Sequence, residues 1–256
     1  MRDPKHILIT GASSGLGAAL ADAYASPGIR LSLHGRNYER LSKVAAAAGQ
    51  KGATVTTRMG DVTDGDALAG WMRECEELQP IDLVIANAGI SPGLKTGYEG
   101  EEHVRSVLRT NIMGAINTIL PAIPLMKPRR RGQIAIVASL AGFRGFSGAA
   151  SYCASKAAIR IYGEALRSDL APNLIEVNVI CPGFIKTPMT DHNPFPMPLL
   201  MSAERAAQII KKGLARNKAR IAFPWIMHLL VQIAALLPQD FLSRLTTGMR
   251  KRPGKG

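Results

Sequence analysis

The chain has 256 residues, with 32 Lys plus Arg against 19 Asp plus Glu and a formal net charge of +13. Its 46% hydrophobic and 20% charged content is ordinary globular usage, which excludes a disordered, collagenous or coiled-coil chain. Three Cys with no CxxC or Cys/His spacing exclude a disulfide scaffold and a zinc site, so Cys75, Cys153 and Cys181 are expected as small buried apolar residues in a reducing, cytoplasmic setting.

Residues 1–6 carry no signal-peptide core, and residues 5–10 read as a strand that runs into a glycine loop. A helix is expected at 15–26, a strand at 29–34, a helix at 38–48, a strand at 54–58 and a helix at 64–78. Then come a strand at 81–86, a long helix at 101–126, a strand at 133–138 and a helix at 149–170. The series closes with a strand at 175–180, a helix at 203–216 and a short strand at 220–223. The strands are apolar runs, as strands buried on both faces are. Strand–helix alternation of this kind predicts an α/β fold, a Rossmann-type doubly wound parallel sheet of about seven strands. No linker or repeat divides it, so 1–256 reads as a single domain with a C-terminal helical segment at about 224–247.

The basic residues are partly local, with Lys127, Arg129, Arg130 and Arg131 in one run and Arg244, Arg250, Lys251, Arg252 and Lys255 near the end. No aromatic residues interleave with them, so no nucleic-acid partner is expected. Solvated loops account for the runs.

The first strand ends in Thr10-Gly-Ala-Ser-Ser-Gly-Leu-Gly17, where a helix begins. Gly11 allows a tight turn, Gly15 a close approach of backbone to a pyrophosphate, and Gly17 close packing of the helix on the sheet. Ser13, Ser14 and Leu16 lie in the same cradle, whose helix N-terminus offers free N–H groups to phosphate. The second strand ends in His34-Gly-Arg-Asn37, with Gly35 where an acid would bind a ribose 2′-hydroxyl. Arg36 can instead pair with a 2′-phosphate. The expected cofactor is therefore NADP(H), with NAD(H) second.

Tyr152 and Lys156 stand four apart on a helix and share a face. A phenol is a poor base at neutral pH, and a nearby ammonium lowers its pKa. The pair is a candidate general acid/base. Ser139 follows the fifth strand at the sheet edge where ligands bind. Its hydroxyl can hold a substrate oxygen.

Thr10–Gly17, Asp61-Val62, Asn87-Ala-Gly89, Asn111, Ser139, Tyr152-x-x-x-Lys156 and Pro182-Gly183 occur in that order over about residues 5 to 190. In these the sequence resembles the classical short-chain dehydrogenase/reductase (SDR) family. The resemblance implies an oxidoreductase in which Tyr152 transfers a proton and Ser139 holds the substrate oxygen. It implies that Lys156 lowers the tyrosine pKa and holds the nicotinamide ribose, and that Asn111 anchors a proton-relaying water. It implies adenine contacts at Asp61 and Val62 and ribose contacts at Asn87, Ala88 and Gly89. Pro182, Gly183, Ile185 and Thr187 are implied at the carboxamide. No metal ligand set is found, and His34 and His192 are weaker candidates for cofactor and substrate contact.

Residues 184–202, rich in Met, Phe and Pro, resemble the family's substrate lid and suit an apolar carbonyl or alcohol. A lid packed only on itself is the alternative. Phe143 and Phe146 are expected on the opposite wall. The readings held beside this one are a 3-oxoacyl thioester reductase and a nonenzymatic dinucleotide sensor. A homodimer or homotetramer is expected through helices 101–126 and 149–170. The segment 221–238 is too interrupted, by Pro224, His228 and Gln232, for a membrane span. It reads as a helix from Pro224 to about Leu237, followed by a second at 239–247. The helix either closes the pocket, packs on a partner subunit, or anchors the protein peripherally on an anionic membrane.

Overall fold

Strand β1 (His6–Thr10) shows why the chain builds a covered sheet. Ile7, Leu8 and Ile9 are all fully buried. Neighbouring strand side chains point to opposite faces, so Ile7 and Ile9 enter one apolar core and Leu8 the other. The computed structural model describes residues 3–91, 99–191 and 196–238. Within them follow α1 (Gly15–Tyr24), β2 (Arg30–Gly35), α2 (Tyr38–Gln50), β3 (Thr54–Met59), α3 (Gly65–Leu78) and β4 (Leu83–Ala86). Next are α4 (Glu101–Leu108), α5 (Gly114–Ile119), α6 (Ala122–Met126), β5 (Gly132–Val137), α7 (Ala150–Leu170) and β6 (Ile175–Pro182). The last are β7 (Ile185–Lys186), β8 (Met201–Ser202), α8 (Ala203–Ala215), β9 (Arg220–Phe223) and α9 (Trp225–Leu236).

Seven parallel strands form one sheet in the order β3-β2-β1-β4-β5-β6-β9. Leu20, Leu41 and Ile210 cover one face from α1, α2 and α8. Met72, Ile119, Met126 and Ile159 cover the other from α3, α5, α6 and α7. Each such side chain contributes about 1.5–3 kcal/mol when fully buried. The strand order reverses between β1 and β4, so a crevice opens there at the strands' carboxyl ends. The expected seven-stranded Rossmann-type sheet is the one observed.

Four details differ from the sequence reading. β3 is an edge strand, and Thr54, Thr57, Arg58 and Met59 are exposed rather than doubly buried. The helix expected at 101–126 is divided: a π-helical turn, Arg109–Met113, separates α4 from α5, and Pro121, which has no N–H to donate, separates α5 from α6. The short parallel pair β7–β8, with Ile185 opposite Met201, was not foreseen. Pro224 is the N-cap of α9 rather than a residue of its first turn. The helix expected at 239–247 lies outside the described residues, as do His192 and the basic tail.

Candidate active site

The cleft at the switch point is lined by Gly11, Ser13, Ser14, Gly15, Leu16, Gly17, Arg36, Asp61, Val62, Asn87, Ala88 and Gly89. Ser139, Tyr152, Lys156, Pro182, Gly183, Ile185 and Thr187 complete the sequence-derived set on its walls. Asn111 alone of that set lies behind the wall, beside the lining residue Thr110.

The floor is set by the glycine loop. Gly11 has φ of 67°, and a Cβ there would stand 2.7 Å from the Ala88 Cα. A Cβ on Gly17 would stand 2.2 Å from the Gly11 carbonyl oxygen. What Gly17 permits is therefore closure of the loop on itself, not only helix packing on the sheet. Asn87 holds the loop from the β4 side: its Nδ2 donates to the Thr10 and Gly11 carbonyls at 3.0 and 3.2 Å. Thr10, the first residue of the motif, accepts the Asn87 N–H through its hydroxyl at 3.2 Å. Helix α1 begins at Ser14 without a side-chain cap, so its first N–H groups face the cleft as an anion site.

Arg36 and Asp61 meet at 3.8 Å at the far end of the cleft. Burial pushes the Asp61 carboxyl up, but hydrogen bonds from Thr63 and the Arg36 and Arg109 charges outweigh it and leave its pKa below the ordinary value. Arg40 also lines this end, a residue the sequence reading missed. Its backbone N–H is held by the Asn37 N-cap at 2.8 Å. A cation in the first turn of a helix opposes the macrodipole, and that unfavourable placement was the available signal for an anion-facing role.

His34 does lie on the cleft wall. Its ring is 5.8 Å from that of Trp71, and its Nδ1 has no hydrogen-bond partner among the described residues. Burial lowers its pKa to about 4, with the Arg58 charge adding to the fall and Asp61 opposing it. The unfolded chain takes up this proton near the ordinary value of 6.5, so stability is full above that pH and declines as pH drops toward 4. The interval corresponds to about 3 kcal/mol. His34→Gln should flatten the acid limb of urea midpoints measured from pH 7 to 4. An unchanged limb would assign the loss to other groups.

The chemical groups converge on the β5 and α7 side. Ser139, nearly buried, caps a short 3-10 turn, Leu140–Phe143, by accepting the Ala141 N–H at 3.1 Å. Its hydroxyl donates to the Pro182 carbonyl at 3.4 Å and lies near the Tyr152 phenol, whose pKa it draws down. The buried Lys156 ammonium donates to the Val137 carbonyl at 2.9 Å and lies 5.8 Å from the Tyr152 ring centroid. Burial pushes Lys156 down to about 8. Burial raises Tyr152, the Ser139 hydrogen bond pulling the other way. Desolvation of the phenol, rather than the Lys156 charge, is the largest influence on Tyr152 here.

Asn111 sits in the π-helical turn, fully buried. Its Oδ1 accepts the Ile90 N–H at 2.8 Å, while its Nδ2 donates to the Ile90 carbonyl at 2.9 Å and to Ser155 Oγ at 3.0 Å. Ser155, also unforeseen, donates back to the Tyr152 carbonyl at 2.8 Å. Its place three residues after Tyr152, where a Ser commonly bonds the preceding turn, was the signal. Phe143 is not on the cleft wall. The 3-10 turn carries its ring beneath Arg160 and Arg220, 4.5 and 5.3 Å from their guanidinium carbons, and against His228 of α9. Phe146 is exposed and does not line the cleft either. From the lid, Pro188, Met189 and Thr190 do line it, and Thr187 touches the glycine loop at Gly15. Cys75, Cys153 and Cys181 are all buried.

The family model for short chain dehydrogenases matches residues 5–194. The chain belongs to the short-chain dehydrogenase family. It is an oxidoreductase of that family, acting on CH–OH or C=O groups. It is 38% identical over 244 residues to an oxidoreductase of Myxococcus xanthus, covering 95% of this chain and 96% of the relative. It is 36% identical over 208 residues to a 3beta-hydroxysteroid dehydrogenase of Mediterraneibacter gnavus, covering 80% of this chain and 75% of the relative. Among solved structures, a short-chain dehydrogenase from Sphingobium yanoikuyae in complex with NADPH superposes with a TM-score of 0.79 at 25% identity, covering 98% of each chain. The short-chain dehydrogenase cleft described above is thus of a kind that binds a nicotinamide dinucleotide. No described helix is long and apolar enough to cross a membrane.

Proposed function

We propose that this enzyme transfers hydride between NADP(H) and an apolar carbonyl or alcohol, with Tyr152 as the proton donor and acceptor. The observation that carries the reading is the single cleft that joins Ser139, Tyr152 and Lys156 to a glycine cradle and to Arg36. The cradle fits a dinucleotide, because the start of α1, without a side-chain cap, lies on the cleft wall with its first N–H groups available, and Gly11 and Gly17 let the loop fold tightly beneath it. Gly11 to Gly17 and the start of α1 would hold its pyrophosphate, and Asp61 and Val62 its adenine. Asn87, Ala88, Gly89, Tyr152 and Lys156 would hold the nicotinamide ribose, and Pro182, Gly183, Ile185 and Thr187 the carboxamide. When bound, the nicotinamide gives or takes the hydride at the substrate carbon. Ser139 holds the substrate oxygen and Tyr152 supplies its proton. Burial keeps that proton on the phenol at neutral pH. Asn111, through Ser155 and α7, ties the proton-relay side of the site to the loop after β4.

The test is NADPH absorbance, with NADH in parallel, across steroid and long-chain ketones, sugars and 3-oxoacyl thioesters. NADPH-dependent turnover of an apolar ketone is expected. Turnover confined to carrier-bound 3-oxoacyl thioesters would select the acyl thioester reductase reading. Binding without turnover across the panel would select the sensor. Arg36→Asp should weaken NADPH binding by about ten- to hundredfold, the worth of a charge-assisted hydrogen bond, and leave NADH less affected. Unchanged NADPH affinity would remove Arg36 from the cofactor assignment.

A homodimer or homotetramer is part of this proposal. Met113 and Ile161 expose roughly half their surface on the π-helical turn and α7, and an isologous pairing of these faces would cover them. Light scattering at micromolar concentration should give two or four chains. A monomer would contradict it. The proposed setting is cytoplasmic.

A further inference from the structure

Helix α9 buries none of its residues. Trp225, Ile226, Leu229, Leu230, Ile233 and Leu236 are 71, 43, 48, 60, 48 and 86% exposed. At 100° per residue these six fall within one arc of less than half the helix circumference. The opposite side is held: Met227 and Val231 pack on the core, His228 meets Phe143 at 5.4 Å, and Arg144 donates to the Leu237 carbonyl at 2.9 Å. Among the described residues, none of α9 lines the cleft.

We propose that this exposed face of α9 docks in the plane of an anionic bilayer surface. The helix itself carries no charged residue, and it is too short to span a membrane. Interfacial helices of this kind lie with the apolar face in the headgroup boundary. The sequence that follows, residues 239–256, supplies Arg244, Arg250, Lys251, Arg252 and Lys255 against one acid, Asp240. That charge complements anionic headgroups. Trp225 at the start of the strip is the residue type that favours the membrane–water boundary. The core-packed side of α9 is the one that adjoins the cleft: Gly183 lines the cleft, and a Cβ on it would stand 2.8 Å from the Met227 sulfur. Docking itself does not rest on the oxidoreductase reading.

The full-length protein should sediment with phosphatidylcholine vesicles containing about 30% phosphatidylglycerol at low salt. Pure phosphatidylcholine should retain about tenfold less, and about 1 M salt, where the Debye length falls to about 3 Å, should release the protein. Replacing Leu229, Leu230 and Ile233 together by Ser should abolish sedimentation while NADPH binding, read by fluorescence, is kept. These side chains are exposed, so the fold is retained. The proposal is overturned if wild type stays in the supernatant at low salt or if the triple variant sediments equally. It is also overturned if wild type stays off vesicles and light scattering shows that the triple variant halves its mass, which would assign the face to a second copy.

Discussion

Tyr152→Phe should lower turnover by about 10²–10⁴-fold, the usual worth of a positioned general acid, while NADPH still binds. The change removes one hydroxyl from a ring whose backbone is fixed by α7 and by Ser155. Ser139 keeps its bonds to the Ala141 N–H and the Pro182 carbonyl. The loss should fall on kcat, because a group that acts only in the transition state lowers kcat and kcat/KM alike. Lys156→Ala should behave differently. It removes a buried ammonium that reaches the Val137 carbonyl and lines the cleft beside Gly89, so both kcat and dinucleotide affinity should fall. Turnover of Tyr152→Phe within a few-fold of wild type would reject the assignment of the proton donor.

The alternation of apolar runs with helical patterns was enough to place seven strands and their order class, because doubly covered strands such as Ile7-Leu-Ile9 admit few other residues. The cleft was legible for a related reason. Its residues stand at the carboxyl ends of strands or in the first turns of helices, where the chain's own periodicity marks the boundary. Partnerships between distant segments were not legible. Nothing local shows that Asn111 is tied to Ile90 and Ser155, because those contacts depend on a π-helical turn that does not alter the hydrophobic period enough to be seen. Phe143 was assigned to the substrate wall by its distance from Ser139 in sequence. Phe143 ends the 3-10 turn, and its ring meets Arg160, Arg220 and His228 of α9 instead. The β7–β8 pair has two residues in each strand, too few for any period to register.

Gly17→Ala should abolish or severely weaken dinucleotide binding and cost about 1–3 kcal/mol of stability, the range for overpacking a close contact. The added Cβ would stand 2.2 Å from the Gly11 carbonyl oxygen and 2.6 Å from Asn87 Nδ2. The side-chain amide could yield, but the carbonyl belongs to the backbone of the loop. Moving it displaces Gly11, whose own φ of 67° and contact with Ala88 leave little room. It also disturbs the Asn87 bonds to Thr10 and Gly11 that join β1 to β4 across the switch point. The start of α1 would then no longer face the cleft in the same register, and even a loss of about 1.4 kcal/mol in phosphate contacts is tenfold in affinity. Gly49→Ala is the matched control: it lies in α2 with no atom within 4 Å of the added Cβ. There the lower entropy of the unfolded chain should stabilise the protein by about 0.4–1 kcal/mol with dinucleotide affinity unchanged. Thermal unfolding and NADPH titration of the two variants separate the cases. Wild-type affinity in Gly17→Ala would mean that the loop can shift without moving the donors assigned to the pyrophosphate.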